Sequence, residues 1–473
     1  MQNKRAGGRA PAAATYAIIF LMLVMFQPLK AQVNRTIYFM DRIPQSSFLN
    51  PAHQHDHDYY IGLPMISSLN MNMKSNFASF SDVIFKHSRY DSLITFMHPD
   101  ADQQNFTSKL RNLNTIAPDM NVGILSFGYR RNTSYFSFNI ADRASIRANL
   151  PRDLILLGLE GNEQFAGRSA DFSRFGGELN YFREYSIGYS RLVGERLSLG
   201  VRTKLLFGKA NLSFTGTHMN LYTDPESYNI TLRSEFNMDF SMPVTLERNE
   251  NGGIEDIHSN FDREDYSRGN FLFNNRNQGL ALDIGATYRL TEPLTLYASI
   301  TDFGFISWKR DVYNLSMDSH FEYEGLDLSP VFDYRDDSVP SEKLGDTLRG
   351  LIDTREERYR SGLPTRIYMG AAWELNSGIS LGMLSSSEIY RNSFEQAVTL
   401  SAGSDINHWL SASVSYSLMN NHFNNLGMGF SVRRRAFNFY MVSDNILSTI
   451  VPHRKRNVNV WLGINLAFGQ GDD

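Results

Sequence analysis

Residues 229–242 read NITLRSEFNMDFSM and alternate with period two. The even positions are Ile230, Leu232, Ser234, Phe236, Met238, Phe240 and Met242; the odd positions are Asn229, Thr231, Arg233, Glu235, Asn237, Asp239 and Ser241. Six of the seven even residues are apolar, and none of the odd ones is. Side chains project to opposite faces along a strand, so this stretch predicts a β-strand with one greasy and one wet face. The pattern recurs. Leu197, Leu199, Val201 and Leu205 interleave with Ser198, Gly200, Arg202 and Lys204. Leu410, Ala412, Val414, Tyr416 and Leu418 interleave with four serines, and Leu280–Leu290, Thr365–Leu375 and Val458–Phe468 repeat the alternation.

The links between these stretches come in two kinds. Gly194-Glu195, Thr291-Glu292-Pro293, Asn376-Ser377-Gly378, Asp405-Ile406-Asn407 and Arg434-Arg435 are tight and polar, as between antiparallel neighbours. Residues 243–277 and 324–363 are long and rich in charge. The reading is an all-β chain: a transmembrane antiparallel up-and-down β-barrel of about 14 strands, with bounds of roughly 12–16. Its short turns are periplasmic, its long loops extracellular, and each strand turns its apolar face to lipid. Aromatics are abundant (33 Phe, 23 Tyr, 4 Trp), and Tyr129, Tyr185, Trp308, Trp373 and Trp461 are assigned to interfacial girdles near strand ends.

The N-terminus has the form of a secretory signal. Lys4, Arg5 and Arg9 precede the apolar run Tyr16–Phe26, which is too short to span a bilayer as a helix. Cleavage is expected near Ala31, with a retained anchor helix as the alternative. Residues 1–31 hold four bases and no acid, so the remainder carries 42 bases against 50 acids, a formal −8. That charge argues against nucleic-acid binding. The chain has no cysteine, hence no disulfides and no lipoprotein anchor. Residues 32–118 alternate poorly and read as an N-terminal extension or plug, or as the first strands. Residues 119–469 are assigned to the barrel and 470–473 to a C-terminal tail. Pro151–Gly158 reads as a short helix or apolar clamp at a rim.

Charged residues on the polar strand faces are the lumen-facing candidates: Arg202, Lys204, Arg233, Glu235, Asp239, Asp283, Arg289, Arg366 and Glu374. They could line a pore, or pair with one another and close it. His53, His55 and His57 form H-x-H-x-H, which on a strand would share a face and could hold a transition metal; in a loop they would be solvated. No nucleophile elbow, metalloprotease helix or phosphate loop occurs, so no enzyme activity, catalytic residue or cofactor is expected.

The segment Tyr38-Phe39-Met40-Asp41-Arg42-Ile43-Pro44-Gln45, with Leu49-Asn50-Pro51-Ala52 and Gly62-Leu63-Pro64, resembles the mature N-terminus of a family of uncharacterised outer-membrane barrels from Bacteroidota, a domain of unknown function. Phe138–Asn162 is similar to the same family. The resemblance implies a plan like that of FadL-like transporters and type IX secretion barrels. It implies integral outer-membrane localisation, contact with lipid and lipopolysaccharide, and insertion by the barrel machinery. It brings no catalytic residues. Two functions are expected from different classes: a channel or transporter for small or hydrophobic solutes, and a non-transporting partner barrel of a secretion or surface assembly. One departure is the ending, Phe468 followed by Gly-Gln-Gly-Asp-Asp rather than a terminal aromatic residue.

Overall fold

The computed structural model describes residues 35–469 apart from short internal stretches, the longest being 249–253, 263–268 and 324–349. The signal segment 1–31, the tail 470–473 and most of the loop 324–363 lie outside the described residues. Fourteen antiparallel strands close into a barrel. They are β1 (Tyr59–Gly62, resumed at Leu69–Ser75), β2 (Leu113–Arg131), β3 (Ser134–Pro151), β4 (Gly176–Val193), β5 (Leu197–Thr223), β6 (Gln278–Arg289) and β7 (Leu294–Trp308). The second half comprises β8 (Tyr359–Gly362, resumed at Thr365–Asn376), β9 (Ile379–Tyr390), β10 (Ser393–Asp405), β11 (Leu410–Met419), β12 (His422–Arg434), β13 (Phe437–Ser443) and β14 (Asn457–Phe468). Each strand pairs with the next, and β14 pairs with β1, so the ladder has no edge. In lipid this closure is required, because unpaired peptide groups have no water to turn to. No helix among the described residues is long and apolar enough to cross a membrane.

Alternation produces an inside-out protein. Ser411, Ser413, Ser415 and Ser417 are buried, while Val414, Tyr416 and Leu418 between them are exposed. Arg202 and Lys204 are likewise buried, with Leu199, Val201 and Leu205 exposed. Exposed Leu280, Ile284, Ile300, Met369, Leu381, Leu400 and Met428 continue the apolar belt around the wall. Buried polar residues against exposed leucines reverse the order of a soluble domain and mark the outer face as lipid-facing.

The tight links 132–133, 194–196, 290–293, 377–378, 406–409 and 435–436 all lie at one end. Two links at the other end are also short, since β9 ends at Tyr390 and β10 begins at Ser393, and β11 ends at Met419 and β12 begins at His422. The expected segregation therefore holds for the short end and only in part for the long one. At that second end lies the helix Arg152–Glu160, whose Leu156 packs with Phe77, Phe106 and Phe165.

Two expectations about faces are corrected. The stretch 229–242 is a strand (Ile230–Ser241), but it is not among the fourteen and its apolar face does not meet lipid. It pairs with Asn211–Thr223, the far half of the 27-residue β5, and with Val312–Tyr323. About 9–11 tilted residues cross a bilayer, so this second tier extends the wall beyond the membrane. Ile230 and Leu232 pack with Leu156 and Phe165, and Phe236, Met238 and Phe240 with Leu246, Ile254 and Leu315. Period two specifies a strand with an apolar face; what covers that face depends on distant segments. Similarly, Trp308 and Trp461 are buried inside the barrel rather than set in a girdle. Their indole N–H groups donate to Ser361 Oγ and Ser68 Oγ, each at 2.9 Å. Trp373 and Tyr129 do face outward, and Tyr185 is half-buried.

The weak alternation of residues 32–118 has a structural cause. β1 is interrupted: Gly62 faces Asn465 and Leu69 faces Leu462, so seven residues of β1 oppose three of β14. The inserted segment keeps its peptides paired through Leu63 N to Ile464 O (3.2 Å) and Ile464 N to Ile66 O (2.9 Å). The described residues of 35–58 precede it as a plug packed inside the barrel, and those of 76–112 form a small unit at the long-loop end.

Candidate functional site in the barrel lumen

The plug is built from two short 3-10 turns, Thr36–Phe39 and Pro44–Phe48. Its Ile37, Tyr38, Met40, Ile43 and Leu49 pack against wall residues Tyr368, Leu384, Tyr440, Val442 and Trp461. This is a hydrophobic core inside a polar barrel, and burial of those side chains is the main attraction holding the plug. Polar bonds fix its register. Asp444 accepts from the Arg35 and Thr36 amides at 3.0 Å and from Thr36 Oγ1 at 2.8 Å. Gln45 and Asn465 exchange amide hydrogen bonds at 2.8 and 3.1 Å. Arg42 reaches the tight-turn end, pairing with Asp405 at 3.1 Å and donating to Asn407 O at 2.9 Å.

The Asn50-Pro51-Ala52 motif is a turn pressed onto the wall. Asn50 Oδ1 accepts from Ala52 N at 3.0 Å, and Ser198 and Ser299 donate to the Ala52 and Leu49 carbonyls at 2.8 and 2.7 Å. Gly200 and Gly285 make this approach possible: a Cβ on Gly200 would strike the Pro51 carbonyl, and one on Gly285 the Asn50 side chain.

Above the plug the wall carries a compact ion network. Asp302 is its hub, with Arg143 at 2.7 Å, Lys204 at 2.6 Å and Arg366 at 2.9 Å. Lys204 also holds Asp283 at 2.8 Å, Arg143 holds Glu184 at 3.1 Å and Arg366 holds Glu388 at 2.9 Å. Arg202 lies 3.6 Å from Asp283 and covers the Phe48 ring, its carbon 5.2 Å from the centroid, which couples network to plug. Four bases meet four acids, so their formal charges balance; Arg202, Lys204, Asp283 and Asp302 are buried, while Arg143 and Arg366 keep some exposure at the cavity. A bulge aims the hub. The β6–β7 register slips between Leu282 and Ile284, and Asp302 takes a φ of 60°, rare for a residue with a Cβ. The Asp302 amide in turn donates to Asp283 Oδ1 at 2.7 Å. Beside the network is a cavity of about 160 Å³, lined by apolar Phe48, Phe182, Leu363 and Trp461 as well as by Arg143 and Asp302.

Of the nine charged candidates, the fold brings together Arg202, Lys204, Asp283 and Arg366. Arg289 and Glu374 are exposed near the tight turn 290–293. Arg233 and Glu235 are exposed on the second tier, where Asp239 accepts from Asn314 at 2.8 Å. Arg143, Glu184, Asp302 and Glu388 complete the network and were missed. One signal was present for Asp302: the outward series Leu296, Ala298, Ile300 resumes at Phe303 and Phe305, and that change of parity marks an extra residue.

His53, His55 and His57 lie in the plug loop rather than on a strand, and all three are buried. The His55 and His57 rings stack at 5.4 Å and 2°, whereas His53 packs edge-on to Tyr38 and Tyr297. The group of three or more ligating side chains with converging donor atoms, among the described residues, is instead His87, His98 and Asp100 in the outer cap. Burial, with His55 adding to it, lowers His53 to about 3 and His57 to about 2, so both are neutral near pH 7. The unfolded chain binds these protons near pH 6.5. Stability is therefore full above 6.5 and falls as pH drops toward 3. At pH 4.5 the two histidines are expected to weaken the closed plug by about 5 kcal/mol together. Limited proteolysis of the N-terminal segment at pH 7 and 4.5 checks this; H53Q/H57Q should flatten the difference.

The closed ladder, the outward apolar belt and the polar plugged lumen define a membrane-spanning β-barrel. Residues 51–444 match a family of unknown function, DUF5723, and the chain belongs to that family. No curated protein matches it. Among solved structures it is similar to a Pseudomonas aeruginosa FadL homologue (9% identity, 94% of this chain and 100% of that one, TM-score 0.43). It is also similar to the Ralstonia pickettii toluene transporter TbuX (10% identity, 90% and 95%, TM-score 0.39) and to a TodX monoaromatic hydrocarbon channel mutant (10%, 89% and 94%, TM-score 0.42).

Proposed function

We propose that this barrel is an outer-membrane channel or transporter for a small hydrophobic or amphipathic solute, closed by its own N-terminal segment. The observation that carries the reading is the lumen cavity, whose lining combines apolar Phe48 and Trp461 with the Arg143–Asp302 pair. At about 160 Å³ the cavity admits a solute of roughly benzene's size, whose apolar body and one polar group would find both kinds of surface there. The plug is the barrier below it, and its first residues hang on Asp444. Purified barrel in planar bilayers and liposomes tests this: wild type should pass small solute slowly, and D444A, which frees that end, faster. Neither current nor uptake from either protein would overturn it. The second tier of wall favours an alternative, a partner barrel in a surface or secretion assembly, because it offers a large protein surface outside the bilayer. Gentle affinity capture discriminates, since recovery of the barrel alone argues against that alternative.

A further inference from the structure

A second concave site lies on the outside of the barrel, away from the lumen. Its floor is the lipid-facing side of β3, β4 and β5, with Phe138, Tyr185, Ile187, Leu205 and Phe207; its roof is Phe273 and Asn274 from the segment before β6. The groove holds about 570 Å³, within the roughly 300–1,000 Å³ of small-molecule sites. Ile187 is 67% exposed and Leu205 51%, so none of the described residues fills it.

Lys209 closes one end. It is the bulged residue of β5, skipped between the pairs Phe182–Gly208 and Tyr181–Ala210. Alternation with Leu205 and Phe207 puts it on the outer face under the roof, where it is only 4% exposed. Its Nζ donates to Asn274 O at 2.9 Å, and no carboxylate among the described residues lies in ion-pair range of it. Nearby Arg183 is cancelled by Asp142, bound through two hydrogen bonds of 2.7 and 2.8 Å. Among the described residues, Lys209 thus has no paired counter-charge beside the apolar groove, and one of its three N–H donors is used. Such a charge is costly unless an anion meets it. Depth identifies the anion. Leu197–Phe207 supplies about the 9–11 residues that cross a bilayer from the tight-turn end, which places Lys209 at the headgroup level of the far leaflet.

We propose that this groove binds a phosphorylated glycolipid of the outer leaflet, the lipid A part of lipopolysaccharide, with an acyl chain along Leu205 and Phe207 and a phosphate on Lys209. The exposed Asn275 amide suits the amide and hydroxyl groups of a glucosamine headgroup, which are more numerous than those of a glycerophospholipid. The assignment rests on the outer-membrane placement proposed above, with the tight turns on the periplasmic side.

The test is native mass spectrometry of the full-length mature protein, delipidated and incubated with lipid A, dephosphorylated lipid A or phosphatidylglycerol. Wild type should retain one lipid A. K209M should lower retention about tenfold, the loss of about 1.4 kcal/mol, and F273A should lower it as well. Heat-modifiable gel mobility confirms that each variant is a folded barrel. Equal retention of lipid A by wild type, K209M and F273A would overturn the site. Equal retention of phosphatidylglycerol and lipid A would overturn the choice of glycolipid. Membrane fractionation separates this from the placement: a barrel absent from the outer membrane that still binds lipid A through Lys209 defeats the placement alone.

Discussion

D302A is expected to cost about 3–5 kcal/mol of barrel stability, the usual result of removing one partner from a buried ion cluster. Asp302 is the shared acid of Arg143, Lys204 and Arg366, and all three lose that partner when it is gone. Glu184, Asp283 and Glu388 then face four bases in a space with little water. The strain is local to the lumen, so the wall should still assemble but unfold at lower denaturant. Urea unfolding in lipid vesicles, followed by tryptophan fluorescence, measures it; Trp461 and Trp308 report from inside the barrel. Adding R366Q should recover part of the loss, because contacting residues in one network are not additive. A midpoint unchanged in D302A would mean that water already screens the cluster.

G285V is expected to open the lumen. The added side chain would occupy the space of the Asn50 side chain and press on Pro51. Overpacking of this kind costs about 1–3 kcal/mol, enough to shift plug docking roughly 5–150-fold toward release. Single-channel current should rise accordingly, and protease should reach residues 35–58. G216V is the control, since open space surrounds a Cβ there. If G285V conducts like wild type, the Asn-Pro-Ala turn is not what closes the barrel.

How much of this could be read in the chain differs from element to element. The serines of β11 gave both its strand and its orientation, because nothing else in a membrane protein keeps Ser411, Ser413, Ser415 and Ser417 on one face and Val414, Tyr416 and Leu418 on the other. The tight turns were legible for the same local reason. The lumen network was half legible: Arg202, Lys204, Asp283 and Arg366 followed from parity, whereas Glu184 and Asp302 did not, since a bulge hides the hub and partners come from β3, β4, β7 and β9. Trp308 and Trp461 misled because an aromatic near a strand end satisfies an interface or a core equally well.

By itself the sequence determined a closed antiparallel ladder with a polar interior. Alternation is a property of adjacent residues, and lipid leaves only closure as a way to pair the backbone. It also determined that strand 229–242 has an apolar face. Only the tertiary structure decided that this face is covered by protein above the bilayer, that residues 35–58 fold into the barrel, and that Asp302 gathers three bases. Those outcomes depend on contacts between residues far apart in the chain, such as Arg35 with Asp444 and Arg143 with Asp302. No local period carries that information.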